Sequence, residues 1–526
     1  MNCRASIGFF SLAASLSVSI GAHAGSTLTV CTDAAPDGFD VVQYELLVTG
    51  DAAGNTLYDQ LLLFKPGSTE LIPGVAESWD ISADGLVVTL HVRRGVKFHT
   101  TPWFKPTREL NAHDVVFSIM RMHDKAHPAH ASAHNGYVYW TGMEMSKLIK
   151  DVARVDDRTV RFTLTRPDAT FLSMLAMPSI GSVYPAEYAE RLLKDGKLEQ
   201  LNTHPVGSGP FVFKSYQKDA VVRYSANKEW WGGAPKIDNL VFAITVDADT
   251  RVQRMKAGEC LVGVDMKAQS VGAFEGHSDV GILRNSPLQT GYLALNTQHK
   301  FLDDLRLREA LWLAIDKKTY IEAVYAGFAT PAASFLPPGI WSHDAGLPNR
   351  HDPERARQLV KASGYDGRTL SLFFANGGMR QRAVVLLQED WAKVGVKVMP
   401  RAMELGELIK RTGDGEHDLA LLAWYGDNGD PDNFFSPNLS CAAVKSGGNK
   451  ARWCNPKMQA LLDAAIRTSD VKQRTELYRQ AQRLVYDEVP VVPTVYVVDM
   501  TAMNKRVRGY VPSPFGIHDF RTVSID

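Results

Sequence analysis

Apolar residues along this chain recur with two periods, and each period predicts a kind of element. Thr27-Leu28-Thr29-Val30-Cys31 and Leu240-Val241-Phe242-Ala243-Ile244 are short, nearly continuous apolar runs of the kind that form buried strands. Val87-Val88-Thr89-Leu90-His91-Val92 follows the turn Ala83-Asp84-Gly85 and predicts another strand. Thr159-Val160-Arg161-Phe162-Thr163-Leu164 alternates, which predicts a half-buried strand. Between these runs the spacing changes to that of a helix. Asn111 opens one helix, with Val115, Val116, Ile119 and Met120 on its inner face. Asp352-Pro353-Glu354 sets an N-cap with proline at the first helical position, and Gly364 ends that helix. Asn455-Pro456 repeats the device ahead of Met458, Leu461, Leu462 and Ala465. Residues 470–486 place Leu477, Ala481, Leu484 and Val485 on one face. Pro490 and Pro493 then lead into a strand over 495–498. Mixed strands and helices predict an α/β architecture. No repeat of solenoid period and no Gly/Ser-rich linker divides the chain.

The first residues follow neither pattern. Arg4 precedes an apolar stretch, rich in serine and alanine, over residues 7–20, and Ala22-His23-Ala24 fits a small-x-small cleavage pattern. Residues 1–24 are therefore expected to be a signal peptide cut before Gly25, too short and too poorly apolar for a spanning helix. Leu28-Thr29-Val30-Cys31 is rejected as a lipidation site, because the bulky Val30 stands where a small residue is needed. At 526 residues the chain has length for two to four domains of roughly 100–200 residues each. Its 58 basic and 58 acidic side chains cancel, which gives no support to nucleic-acid binding.

Export makes the cysteines informative. Cys3 would leave with the signal, and Cys31, Cys260, Cys441 and Cys454 remain. An even number in an oxidising compartment suggests two disulfides, with three connectivities open. Nearness favours Cys441 with Cys454, which leaves Cys31 with Cys260. No C-x-x-C pair suggests a metal site. Metalloprotease, phosphate-loop, dinucleotide-binding and nucleophile-elbow motifs are all missing. Gly207-Ser208-Gly209 has the wrong spacing for an elbow and reads as a turn.

Two segments carry chemistry. His123, His127, His130 and His134 would share a helical face suited to metal or haem, but Pro128 interrupts any such helix. The run reads as an exposed histidine-bearing loop, with ligation as the sharper alternative. In the second segment, apolar residues 419–423 deliver Trp424-Tyr425-Gly426-Asp427-Asn428-Gly429-Asp430-Pro431-Asp432-Asn433-Phe434-Phe435, an acidic and aromatic loop. It lacks the closing glutamate of an EF-hand. Bare chemistry leaves a calcium site, a ligand clamp and a plain solvated loop open.

Several blocks together carry a resemblance. They are Leu71-Ile72-Pro73-Gly74-Val75-Ala76-Glu77-Ser78-Trp79, then Asp84-Gly85 through Arg94-Gly95-Val96-Lys97-Phe98-His99, and Leu110-Asn111-Ala112-His113-Asp114-Val115-Val116-Phe117-Ser118. Pro205-Val206-Gly207-Ser208-Gly209-Pro210-Phe211, residues 302–316 with Arg306, Arg308 and Ala310, and residues 426–435 complete the set. The chain resembles the periplasmic dipeptide-binding proteins of ABC transporters, in the large peptide/nickel solute-binding family.

That resemblance implies a two-lobed periplasmic-binding fold of the large three-subdomain type, with the ligand cleft between the lobes. Lobe one would span 25–288 and take back 501–526, and lobe two would span 289–500. The crossings would fall near Gln289-Thr290-Gly291 and Asp499-Met500-Thr501. It also implies the pairings Cys31–Cys260 and Cys441–Cys454. Asp427 would hold the ligand's α-ammonium, Trp424 would pack beside the ligand, and the Tyr425 and Gly426 backbone would bond a peptide main chain.

Two departures stand out. The Arg-Pro-Tyr loop that holds the peptide carboxylate in the relatives is replaced by Phe374-Ala375-Asn376-Gly377-Gly378-Met379, which leaves Arg380 or Arg382 as substitutes. Glu45 stands where the relatives have a threonine; it would favour cationic ligands, or else pair with a lysine or arginine of the protein.

The expected function is capture of di- or tripeptides by a monomer that needs no cofactor or metal, performs no chemistry, and delivers its ligand to an inner-membrane ABC permease. Binding of haem, glutathione or a metal complex in the same fold is the alternative. A periplasmic peptidase or chaperone stands further off.

Overall fold

The computed structural model describes residues 25–526 apart from residue 135. The expected signal peptide, 1–24, lies outside the described residues. Two large sheets organise the chain. A seven-stranded sheet has the order Val280–Asn285, Asp499–Asn504, Val262–Gly263, Thr27–Thr32, Asn239–Ile244, Val221–Ala226, Phe211–Gln217. A six-stranded sheet has the order Ala329–Pro331, Val491–Val497, Gln289–Leu295, Leu419–Tyr425, Leu370–Ala375, Val398–Met403. A separate four-stranded sheet, Ala76–Ile81, Val87–Val92, Thr159–Leu164 and Ile149–Arg154, shares one continuous apolar core with the seven-stranded sheet. These two sheets make one lobe and the six-stranded sheet the other.

The apolar runs explain the layering. Thr27–Thr32 runs parallel to Asn239–Ile244 and Val262–Gly263 in the sheet centre, where both faces are covered, so alternation is lost. Gln289–Leu295 is buried throughout because its two faces feed two cores. Leu293 and Leu295 join Trp312 and Trp391 on one side. Tyr292 and Ala294 join Phe434 and Tyr478 on the other.

The helix signals also correspond to observed caps. Asn111 and Asp114 form a reciprocal capping box for Ala112–His123. Asp352 caps Pro353–Ala362, Asn455 caps Pro456–Arg467 and Asp470 caps Val471–Glu488. The strand expected over 495–498 runs over Val491–Val497, and so contains Pro493. Backbone pairing tolerates that proline because the register shifts opposite Gly291 and Tyr292.

The chain passes between the two large sheets twice. It leaves Val280–Asn285 and enters Gln289–Leu295, then leaves Val491–Val497 and enters Asp499–Asn504. Cys31 pairs with Cys260, 229 residues away, and Cys441 pairs with Cys454. The first bond ties a central strand to the segment after helix Ala248–Lys256. Among the described residues no helix is long and apolar enough to cross a membrane.

Candidate functional site

Strand Leu419–Tyr425 lies between Gln289–Leu295 and Leu370–Ala375, so its C-terminal end is held on both sides. It delivers the acidic loop to the seam between the lobes. The Gly426 N–H donates to Leu288 O at 2.6 Å, and a Cβ there would stand 2.7 Å from the Phe434 ring. Gly429 has φ +68°, and a Cβ on it would meet the Thr69 side chain at 2.8 Å and Phe515 at 3.1 Å. Both glycines are therefore required by close approach.

The loop is laced by its own polar groups. Asn433 Oδ1 accepts from the Asp427 N–H at 3.1 Å and from Trp424 Nε1 at 3.4 Å. Arg474 grips Asp430 through two bonds of 2.8 Å, and both side chains are buried. Asp432 accepts from Ser436 Oγ at 2.6 Å. Its carboxyl is pushed up to about 7, by burial first and then by the neighbouring Asp430 and Asp168. Asp168 comes from the other lobe. Beside it, the Ala169 N–H donates to Ile466 O at 2.9 Å, a hydrogen bond across the seam.

Asp427 itself is left for something else. Burial pushes its carboxyl up to about 6, and Glu45 adds to the rise. The Asn433 amide, at 3.4 Å, and the Tyr139 hydroxyl donate to it. Tyr139, on the short helix Val138–Gly142, is itself raised above the usual phenol range by burial and then by Asp427 and Glu45. Two carboxylates and a phenol thus converge from three distant segments. Among the described residues, Asp427 has no lysine, arginine or histidine ion-pair partner.

A second group surrounds Tyr425. About half of its surface is exposed (49%), yet burial by surrounding protein pushes its hydroxyl up to about 12, with Asp499 and Asp265 adding to the rise and Arg380 opposing it. Asp265 rises to about 7 through burial, then Asp33 and Asp499, and Asp499 rises to about 6 through burial. Topology explains the grouping. Strands Thr27–Thr32 and Val262–Gly263 end where Asp499–Asn504 begins, which brings three aspartates to one sheet end.

Of the residues expected at the site, Trp424, Tyr425, Gly426 and Asp427 share the end of one strand, and Glu45 lies with Asp427. Arg380 and Arg382 are both exposed on helix Gly378–Lys393, and the Arg380 charge opposes the rise of the Tyr425 and Tyr325 hydroxyls. Sequence reasoning missed Tyr139, Asp265 and Arg474. Asn433 and Asp499 stood in segments already singled out, but without a role.

The histidines do not converge. Helix Ala112–His123 ends at His123, which faces Trp140. His127 Nδ1 accepts from the Ala129 N–H at 3.1 Å, and His130 Nδ1 lies 2.9 Å from Arg121 O. His134 is exposed in a turn. Among the described residues, no three His, Cys, Asp or Glu side chains are grouped to hold a metal ion. Ser208 donates to the buried Asp59 at 2.8 Å, as fits a structural turn.

Comparisons with known proteins agree with this geometry. The family model of the bacterial extracellular solute-binding proteins, family 5 (Middle), matches residues 70–446. The Di/tripeptide-binding protein 4 of Pseudomonas aeruginosa (strain UCBPP-PA14) is 48% identical over 512 residues, covering 96% of both chains. The structure of HbpA2 from Haemophilus parasuis superposes with a TM-score of 0.90 at 37% identity, covering 95% of this chain and 100% of that one. A dipeptide binding protein from Pseudoalteromonas sp. SM9913, in complex with Met-Leu, superposes with a TM-score of 0.80 at 34% identity, covering 95% and 100%. A match this long in sequence, joined to the same two-lobed architecture, leaves one assignment: the chain belongs to the bacterial extracellular solute-binding proteins, family 5.

Proposed function

We propose that the protein is the periplasmic substrate-binding component of an ABC importer, capturing di- or tripeptides and delivering them to an inner-membrane permease. The observation that carries this reading is Asp427, a carboxylate recessed in the seam between lobes with no cation bonded to it among the described residues. A carboxylate so placed attracts an ammonium group more strongly than one in water, because the effective dielectric is lower. The ligand's α-ammonium supplies the missing cation. Trp424 packs beside it, and the Tyr425–Gly426 backbone bonds the peptide main chain.

Arg380 is the group that takes the peptide carboxylate in place of the relatives' Arg loop, and Glu45 biases the cleft toward ligands with a second positive charge. Support for a peptide ligand comes from relatives whose names state di- and tripeptide binding, and from the neighbour that holds Met-Leu. Lobe one is taken as 25–288 with 501–526, and lobe two as 289–500. They hinge at the two passages between the large sheets, so that ligand binding favours the closed form that a permease recognises. The protein works as a monomer and its residues perform no bond chemistry.

Calorimetry of ligand-stripped protein with Ala-Ala and Ala-Ala-Ala tests this reading. Saturable one-to-one binding is expected, weakened more than tenfold by Asp427→Ala. No heat with any peptide, or equal affinity in the variant, overturns it.

A further inference from the structure

Away from the two passages between the large sheets, the lobes also touch where a turn of one meets a helix end of the other. The turn follows strand Thr159–Leu164 in lobe one and reads Arg166-Pro167-Asp168-Ala169-Thr170. It reaches the C-terminal end of helix Pro456–Arg467 in lobe two. A helix leaves its last four carbonyls without partners of its own. Two of them are met here from outside. Arg474 Nε donates to Ala465 O at 3.0 Å, and the Ala169 N–H donates to Ile466 O at 2.9 Å. Lobe one thus completes the end of a helix in lobe two.

The lobe-two half of this contact also holds the Asp427 loop. Arg474 bonds both Ala465 O and Asp430, so the helix end and the acidic loop are tied into one piece. In the lobe-one half, Asp168 shapes the turn. Its Oδ1 accepts from the Thr170 N–H at 3.0 Å and from Thr170 Oγ1 at 2.6 Å, and the turn so formed presents the Ala169 N–H. The same carboxylate is unwelcome where it sits. Its side chain is buried, it faces Asp430 and Asp432, and it lies beside the negative end of a helix. Arg474 is committed to Asp430, and Asp432 is bonded by the hydroxyls of Ser436 and Tyr478. Among the described residues the cation paired with Asp168 is Arg166, half exposed and 3.3 Å away.

We propose that Asp168-Ala169-Thr170 is a latch across the seam that sets how readily the lobes close, held shut by the Ala169 N–H and kept weak by the Asp168 carboxylate. The inference rests on the proposed closure of the lobes around a peptide, and adds to it a positioning contact that touches no ligand. Water can replace the Ala169 N–H at Ile466 O when the lobes part, so the bond is worth only a modest net amount. Repulsion between carboxylates brought together out of water offsets part of that. A latch so balanced does not hold the empty protein shut, and ligand decides the position of the lobes. Because Arg474 joins the helix end to the acidic loop, closing the latch also steadies the loop from which Asp427 projects.

The test joins calorimetry with Ala-Ala and Ala-Ala-Ala to small-angle X-ray scattering of the mature, ligand-stripped protein, all at pH 8. At that pH Asp432, which titrates at about 7, is largely ionised. Asp168→Asn keeps an acceptor for Thr170 and removes the charge. It is expected to tighten both peptides by one common factor, about two- to fivefold, and to lower the radius of gyration of the empty protein. Ala169→Pro removes the donor, and is expected to weaken both peptides by one common factor, about two- to tenfold, and to raise that radius. A common factor marks a contact that acts on closure, since a group touching the ligand would favour one peptide over the other. Unequal factors overturn the latch. So do affinities and radii unchanged by Asp168→Asn while Asp427→Ala still weakens binding, and the peptide reading then stands without the latch. If the wild-type protein binds no peptide, the functional reading fails, and the radii of the empty variants still decide the latch. Asp168→Asn settles the question even if the proline variant does not fold.

Discussion

Residues 123–134 hold four histidines and residues 424–433 hold three aspartates, and in composition each could be a binding site. They differ in what their neighbours leave over. In the histidine segment His127 and His130 are spent on nearby backbone groups and His134 points to solvent. In the aspartate loop two acids are consumed as well, Asp430 by Arg474 and Asp432 by Ser436, but they hold the loop so that Asp427 reaches the seam. A dense run of ligating residues is therefore weak information. A single polar group left without a charge partner, in a recess that other polar groups make rigid, is strong information.

Breaking the scaffold of the loop should have the largest effect. Arg474→Met leaves Asp430 buried without its cation, which costs about 3–5 kcal/mol of stability, read as a lowered midpoint in urea unfolding. If the midpoint is unchanged, Arg474 does not hold the loop.

The next test bears on the group that is left over. Asp427→Ala removes the proposed counter-charge without touching that ion pair, so affinity for Ala-Ala should fall by a factor of ten or more while thermal stability changes little. A charge-assisted hydrogen bond is worth roughly 1.5–3 kcal/mol, about the same range.

A third prediction uses acidity. Asp427 titrates at about 6 in the free protein, with Glu45 and Tyr139 facing it. An α-ammonium binds the ionised form, so binding below that value must expel a proton. Affinity should therefore be flat above about pH 7 and fall up to tenfold per unit below about pH 6. Asp427→Asn should remove that slope. A slope retained in the variant would assign the titration to another group.

Smaller still is Arg380→Ala, expected to weaken Ala-Ala several-fold while Arg382→Ala leaves it unchanged. The reverse order would exchange their roles. At the bottom lies the histidine segment. Changing His123, His127, His130 and His134 together to glutamine should leave peptide affinity within about twofold and produce no loss of haem or metal binding, by absorbance titration.

The local elements were readable because their causes are local. Asn111 with Asp114, Asp352 with Pro353 and Asn455 with Pro456 satisfy helix N-termini within a few residues, and each produces the helix it announces. The 424–435 loop was readable as unusual for the same reason. The partners of Asp427 were not. Tyr139 is a tyrosine among aromatic neighbours, and nothing within its own segment links it to an aspartate hundreds of residues later. Asp265 and Asp33 gain meaning only because two parallel strands end at the same level. Arg474 reads as one more charge on an amphipathic helix until its helix packs against the loop.

The sequence by itself determined the elements, the resemblance to a solute-binding family, the four cysteines and the acidic loop, since each follows from composition or from contacts a few residues apart. The tertiary structure alone decided that Asp427 is buried without an ion-pair partner among the described residues, that Arg380 lies in the field of Tyr425 and Tyr325, and that a cavity opens beside Asp427. Burial and charge pairing depend on which distant segments are brought together, and the spacing of residues along the chain does not encode that.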